Sequence, residues 1–494
     1  MLKPLATKDW SYATAAHLLN RAGFGGTPEE IKGLSNFGPD RAVASLLDYE
    51  NIPDPTPNPE WARPNPEELA KYREAIRTGT PEEKKAAQQE QQRTFQRRML
   101  ELRGWWLQRM LNGPRPLQEK LVLFWHGHFA TSIEKVRNPY FMWRQNDLFR
   151  RLAIADWQTL LTAAGKDPAM LHWLDQFQSR RDHPNENFAR EVMELFALGE
   201  GHYTEHDITE AARALTGWSL NQQDLGFIYR PFIHDNGVKT FLGRTGNFDG
   251  DDVISIIVAQ PQAAKFITAK LWNYFAGQVP DEALNEALAA ELRAHGNNFK
   301  PFLRTMFCCQ EFYGPDIIRN QVKSPVQWLV SSVRMLESEL PPPIVCWGML
   351  RQLGQDLFAP PNVKGWDGGV TWITTNTLLT RYNDAQSLVE GSLPPLAAGD
   401  FAKKPGGGGG GKAVKVMQRA RMGGVNLDKI LTPAERMDNQ SIIASLENRL
   451  FQTTLKKDQQ EALQEFLDSK TKMSNADIVT AIRLMMSTPE YQIT

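Results

Sequence analysis

The stretch 184–218, PNENFAREVMELFALGEGHYTEHDITEAARALTGW, carries two helices and most of the polar groups that look placed rather than scattered. Asn185 is a natural N-cap, Phe188, Val192, Leu195 and Phe196 form an apolar stripe at helical spacing, and Gly199 with Gly201 stops the run. One helix is therefore expected over 185–198. Thr204 or Asp207 can cap a second over 208–215, whose Ala211, Ala212 and Ala214 let a neighbouring backbone come close. The pair reads as a compact helical hairpin.

On the first helix the polar side chains share one arc. With Glu186 as origin, Arg190, Glu194, Asn187 and Glu191 fall at about 40°, 80°, 100° and 140°. Glu191 and Glu194 form the i, i+3 pair that can bring two carboxylates to one point. The arc is either a solvated stripe carrying its own ion pairs or a face that supplies ligands or acid–base groups to a buried site.

Upstream, Gly113 and Pro114 break a helix and PLQEKLVLFWHGHFATS at 116–132 begins the next. From Leu121 its residues are apolar on every side of the helical wheel, so this end is buried and His126 and His128 need partners. In a continuous helix the two rings would point about 200° apart and share no metal. A left-handed Gly127 would let them converge. The neighbouring carboxylate helix is the richest source of acidic partners, so its polar arc is expected to face the histidines.

Composition narrows the function classes. With 494 residues and 41% hydrophobic content the chain can bury a large core. Lys plus Arg total 56 against 57 for Asp plus Glu, so no global field favours nucleic acid or an anionic surface. Three cysteines, Cys308, Cys309 and Cys346, form neither a disulfide framework nor a four-thiolate zinc site. No stretch approaches ~18 uninterrupted apolar residues, and none at the N-terminus has signal-peptide length. A cytoplasmic protein without a membrane span is expected.

The expected architecture is mainly α, a multi-helical globular array with one small β-hairpin. Residues 1–50 form an N-terminal helical segment containing His17, and 51–66 form a Pro-rich connection. Residues 67–115 hold a long charged helix that turns apolar toward Trp105 and Trp106. The helical core with its candidate polar site runs over 116–400, a Gly-rich tether over 401–412, and C-terminal helices packed on the same unit over 413–494. The hairpin is expected at 227–242, where Asn236-Gly237 would pair His234 with Lys239 on one face. The loop 354–382, with Gly365, Trp366, Gly368, Gly369 and Trp372, either lines a cleft or covers the core.

Read together, HLLNRAGFGGTPEE, LFWHGHFATS, DPAMLHWLD, the 184–218 stretch, HDNGVKTFLG and PPNVKGWDGGVTWI resemble the bacterial family known as domain of unknown function 1800. The resemblance spans roughly 11–391, and the closing MMSTPEYQ is similar to that family's ending. It implies that the Gly tether is an insertion within one family unit. The family's pattern matches here at His17, His126, His128, Glu186, Asn187, Arg190, Glu191, Glu194, Tyr203, Glu205, Asp207, Arg213, Gly217, Trp218, His234, Asp235 and Lys239. The resemblance brings no activity with it. It does imply a partner of a phosphatase- or sulfatase-like uncharacterised family, beside which similar members are often encoded, and a role in envelope or secreted-polymer metabolism.

The leading functional expectation is a metal-assisted or acid–base enzyme, hydrolase-like, with a buried His/Glu/Arg pocket. His126, His128 and Glu186 would hold a divalent metal ion. Glu191 or Glu194 would act as ligand or general base, Arg190 and Lys239 would hold an anionic group, and the histidines, His234 among them, would be ligands or proton donors. The alternative is a non-catalytic helical scaffold that binds a partner protein through the Trp366 loop.

Overall fold

A computed structural model describes residues 2–221, 224–392 and 423–494. The chain is mainly α-helical, and among the described residues the only multi-residue strands form two small two-stranded antiparallel sheets. The helices begin where the sequence offers caps: Ser11, Thr80 and Thr204 each close a capping box, and Asn185 accepts from the Phe188 amide. One continuous apolar core runs from Leu5 to Tyr491 and includes Leu427, Ile442 and Met485 beyond the tether region. The tether expected at 401–412 lies outside the described residues.

Buried charge ties distant parts of the chain together. Arg21, on helix α1 (Tyr12–Ala22), is fully buried and donates to the carbonyls of Phe275, Ile317 and Thr494 and to Asn320 Oδ1. His17 on the same helix is buried and sits 3.1 Å from the Phe312 carbonyl, an ordinary way for a core histidine to be satisfied. Helix α2 (Pro81–Asn112) is exposed over its charged first half and buried from Met99 onward. It packs against α3 (Pro116–His128) and α4 (Pro139–Arg151).

The helix predicted over 185–198 exists in two parts. An α-helical segment, α5 (Glu186–Glu191), runs into a π-helical turn over Val192–Ala197. The wider π turn redirects the last carbonyls of the helix, and those of Leu195 and Phe196 find side-chain donors instead of backbone ones. Helix α6 (Glu205–Leu215) returns antiparallel beside α5, as the alanine positions require.

The sheets correct the expected hairpin. Strand β1 (Trp218–Leu220) pairs with β2 (Phe227–Tyr229), and β3 (Lys239–Phe241) pairs with β4 (Arg244–Gly246). Lys239 therefore faces Gly246 rather than His234. The tight turn is made by Leu242 and Gly243, both at positive φ, as a primed turn demands. Asn236-Gly237 cannot serve, because Arg213 already holds that segment: its guanidinium pairs with Asp235, whose Oδ1 accepts from the Gly237 amide.

The Trp366 loop lies across the end of α3. Gly365, at φ +89°, approaches the Gly127 carbonyl so closely that a Cβ there would stand 2.2 Å from the oxygen. Two glycines from distant parts of the chain thus make one backbone crossing, with the Trp366 ring against Gly127.

Candidate functional site

Helix α3 continues through both histidines, and Gly127 keeps a helical rather than a left-handed backbone. The rings diverge as a continuous helix requires. His126 is buried among Trp106, Phe149 and Phe358 and meets the Asn146 amide at 3.0 Å. Burial and the nearby Arg150 charge push its pKa down to about 3, so it is a neutral ring.

Asn146 is one link in a buried relay that ends on a carboxylate. Its Oδ1 accepts from Arg150 Nη2 at 2.6 Å, and Arg150 donates to both oxygens of Glu119 at 2.7 and 2.9 Å. Arg109 and the Trp106 indole complete the shell of Glu119, and Arg109 also pairs with Asp54. Burial opposes ionisation of Glu119, but Arg150 and Arg109 outweigh it and hold the carboxyl below its usual range. Every charge in this network has a partner, so it is structural.

His128 looks the other way. Its Nε2 donates to the Phe196 carbonyl of the π turn at 2.9 Å, since a carbonyl can only accept. Its Nδ1 then carries the lone pair and lies 3.4 Å from Lys270 Nζ. Burial, with the Lys270 charge, depresses its pKa well below the usual value. Among the described residues no three His, Cys, Asp or Glu side chains cluster in a way that could hold a metal ion. His126, His128 and Glu186 are not brought together: Glu186 is exposed and accepts from Thr209.

His234 and Lys239 are likewise occupied. His234 Nδ1 meets the Thr216 carbonyl at 2.8 Å, and Lys239 donates to the carbonyls of Asp235 and Gly237. Lys239 is 1% exposed, and burial lowers its pKa against the opposing pull of Asp235. Beside them Arg213 bridges Glu210 and Asp235, while Asp207 and Glu210 accept from the Leu242 and Thr240 amides. These carboxylates fasten the edge of β3 to α6.

The carboxylate row on α5 and the π turn does not face the histidines. Arg190 pairs with exposed Glu205 at 2.7 Å, and Glu194 accepts from the Tyr203 hydroxyl at 2.9 Å. Glu191 differs from its neighbours. It is half-buried, has no hydrogen-bond donor among the described residues, and its pKa is raised by burial and then by the Glu194 charge. Lys364 of the Trp366 loop is near enough for its charge to oppose that rise. The Trp366 indole N–H is buried without an acceptor among the described residues. The arrangement sets a tyrosine-held carboxylate and a carboxyl without a donor among the described residues within range of a lysine of the aromatic loop.

Sequence reasoning missed Glu119, Lys270 and Lys364. Glu119 had one usable signal, an acid on a helix whose other residues point to burial on all sides, while Lys270 and Lys364 reach their neighbours only through tertiary packing.

The fold and its polar clusters define a class: a mainly α-helical protein with one extended core, an internal buried ion network and a carboxylate row at its surface. The chain belongs to the family described as protein of unknown function DUF1800, which it matches over residues 17–493. No curated protein and no solved structure matches it. Among the described residues no helix is long and apolar enough to cross a membrane.

Proposed function

We propose that the carboxylate row, with Lys364 of the Trp366 loop near Glu191, is an acid–base site for a hydroxyl-rich substrate of the saccharide class. Glu191 is the proton donor, because its half-buried carboxyl lacks a donor and holds its proton to higher pH than an ordinary glutamate. Glu194, fixed by Tyr203, is the carboxylate that orients a hydroxyl or an attacking water. Lys364 and the Trp366 indole supply a cation and a flat apolar face. The observation that carries this reading is the Glu191 carboxyl, the carboxylate of the row left without a hydrogen bond among the described residues.

The test is release of reducing ends from a panel of bacterial envelope and secreted polysaccharides. Glu191→Gln should lower the rate by roughly 10²–10⁴-fold, the usual worth of a positioned acid or base, with folding unchanged. Full activity in Glu191→Gln, or no cleavage of any polymer by the wild type, would remove this reading. In the second case capture of a partner protein that Trp366→Ala abolishes would favour the scaffold.

A further inference from the structure

A second site with unused chemistry lies on the far side of the π turn. An open groove of about 540 Å³ runs between helix α7 (Pro261–Ala276) and helix α8 (Glu282–Ala294), lined by Gln262, Phe266, Lys270, Asn285, His202 and Val279. Lys270 enters it from α7. Its Nζ donates to the Leu195 carbonyl at 2.9 Å, stands 3.4 Å from the bare Nδ1 of His128, and lies 4.5 Å from the centre of the Phe266 ring. Among the described residues no carboxylate pairs with it, unlike Lys265 on the same helix, which is held by Glu282 and Glu286. Asn285 is a residue of the lining, and its Oδ1 is buried behind the groove surface with no donor among the described residues.

We infer that Lys270 is a carbonyl-reactive amine that forms a reversible imine with a small hydroxy-aldehyde or hydroxy-ketone bound in this groove. The neutral Nζ lone pair attacks the carbonyl carbon, and the C=O π pair moves to oxygen. A proton passes from nitrogen to that oxygen, with His128 Nδ1 within reach as acceptor. Loss of water from the carbinolamine then forms the C=N bond, and hydrolysis reverses the sequence without any redox partner. A hydroxyl on the ligand supplies the donor that Asn285 Oδ1 lacks. Burial lowers the Lys270 pKa to about 8, which raises the free-base fraction near neutral pH.

The full-length protein is treated with glycolaldehyde and cyanoborohydride from pH 6 to 10, and adducts are mapped across all lysines by peptide mass spectrometry. Lys270 should be labelled roughly tenfold or more faster than the exposed lysines at pH 8, with its rate rising through a midpoint near 8 rather than the ordinary lysine value. Asn285→Ala should slow glycolaldehyde labelling and leave acetaldehyde labelling unchanged. Lys270→Arg should lose the dominant adduct, whereas Lys265→Arg should keep it. If Lys270→Arg fails to fold, the wild-type site map and pH profile decide alone. Labelling of Lys270 no faster than of surface lysines, or a midpoint near the ordinary value, would overturn the inference.

Discussion

Glu119 and Glu191 are both glutamates on helices, and the chain treats them in opposite ways. Glu119 is 1% exposed and receives donors from Arg109, Arg150 and Trp106, whereas Glu191 is half-buried and receives none among the described residues. Their pKa values move apart accordingly, down for Glu119 and up for Glu191. A fully buried carboxylate is tolerated only when its partners are complete, so the Glu119 network is committed to holding the fold. A half-buried carboxyl with its lone pairs free costs stability that nothing internal returns, and this is the kind of group a ligand can use.

The sharpest way to break the comparison is Glu119→Ala. It removes the carboxylate shared by two buried guanidinium groups, leaving them only Asp54 and Asn146, and strands an indole N–H, and should cost about 3–5 kcal/mol in urea or thermal unfolding. A loss under ~1 kcal/mol would mean that water reaches the network.

A smaller effect is expected from the far end of the same relay, and it depends on pH. His126 has a folded pKa of about 3 against 6.5 as its ordinary value, so the unfolded chain takes up the proton first. Wild-type stability therefore declines as pH falls from 6.5 toward 3, a term that His126→Gln lacks. The wild type's advantage over His126→Gln should shrink by about 2 kcal/mol between pH 7 and pH 5. An advantage that stays flat across that range would show the ring to be solvated.

The smallest effect is expected on the carboxylate row. Tyr203→Phe removes one part-exposed hydrogen bond to Glu194 and should cost about 0.5–1 kcal/mol. A double-mutant cycle between Tyr203 and Glu119 should show additivity, because the two clusters share no partner. Strong coupling would join regions that the hydrogen bonds keep separate.

The carboxylate row also shows where sequence periodicity stops. The arc over Glu186, Arg190, Glu191 and Glu194 was readable, but the wheel gives a direction only relative to its own helix. The expectation that it faced His126 and His128 failed because the histidines found other partners, an amide from α4 and a carbonyl of the π turn. The turn expected at Asn236-Gly237 failed for a related reason: it has the composition of a tight turn, yet Arg213, more than twenty residues earlier, ties down its flanks through the Asp235 carboxylate and the Val238 carbonyl, and Leu242-Gly243 makes the turn instead. In both cases a long-range polar partner outcompeted a local preference.

By itself the sequence determined the mainly α-helical class, the caps that start the helices, the burial of α3 from Leu121 onward and the family. Those follow from short-range rules: an N-cap needs a residue three positions away, and amphipathicity repeats within two turns. Only the tertiary structure decided which buried groups satisfy one another, because Glu119 and His126 of α3 meet Arg150 and Asn146 of α4 through packing of separate helices. It also decided the surroundings of Glu191 and Lys270, since what a polar group lacks is defined by every neighbour that could have supplied it, wherever in the chain that neighbour lies.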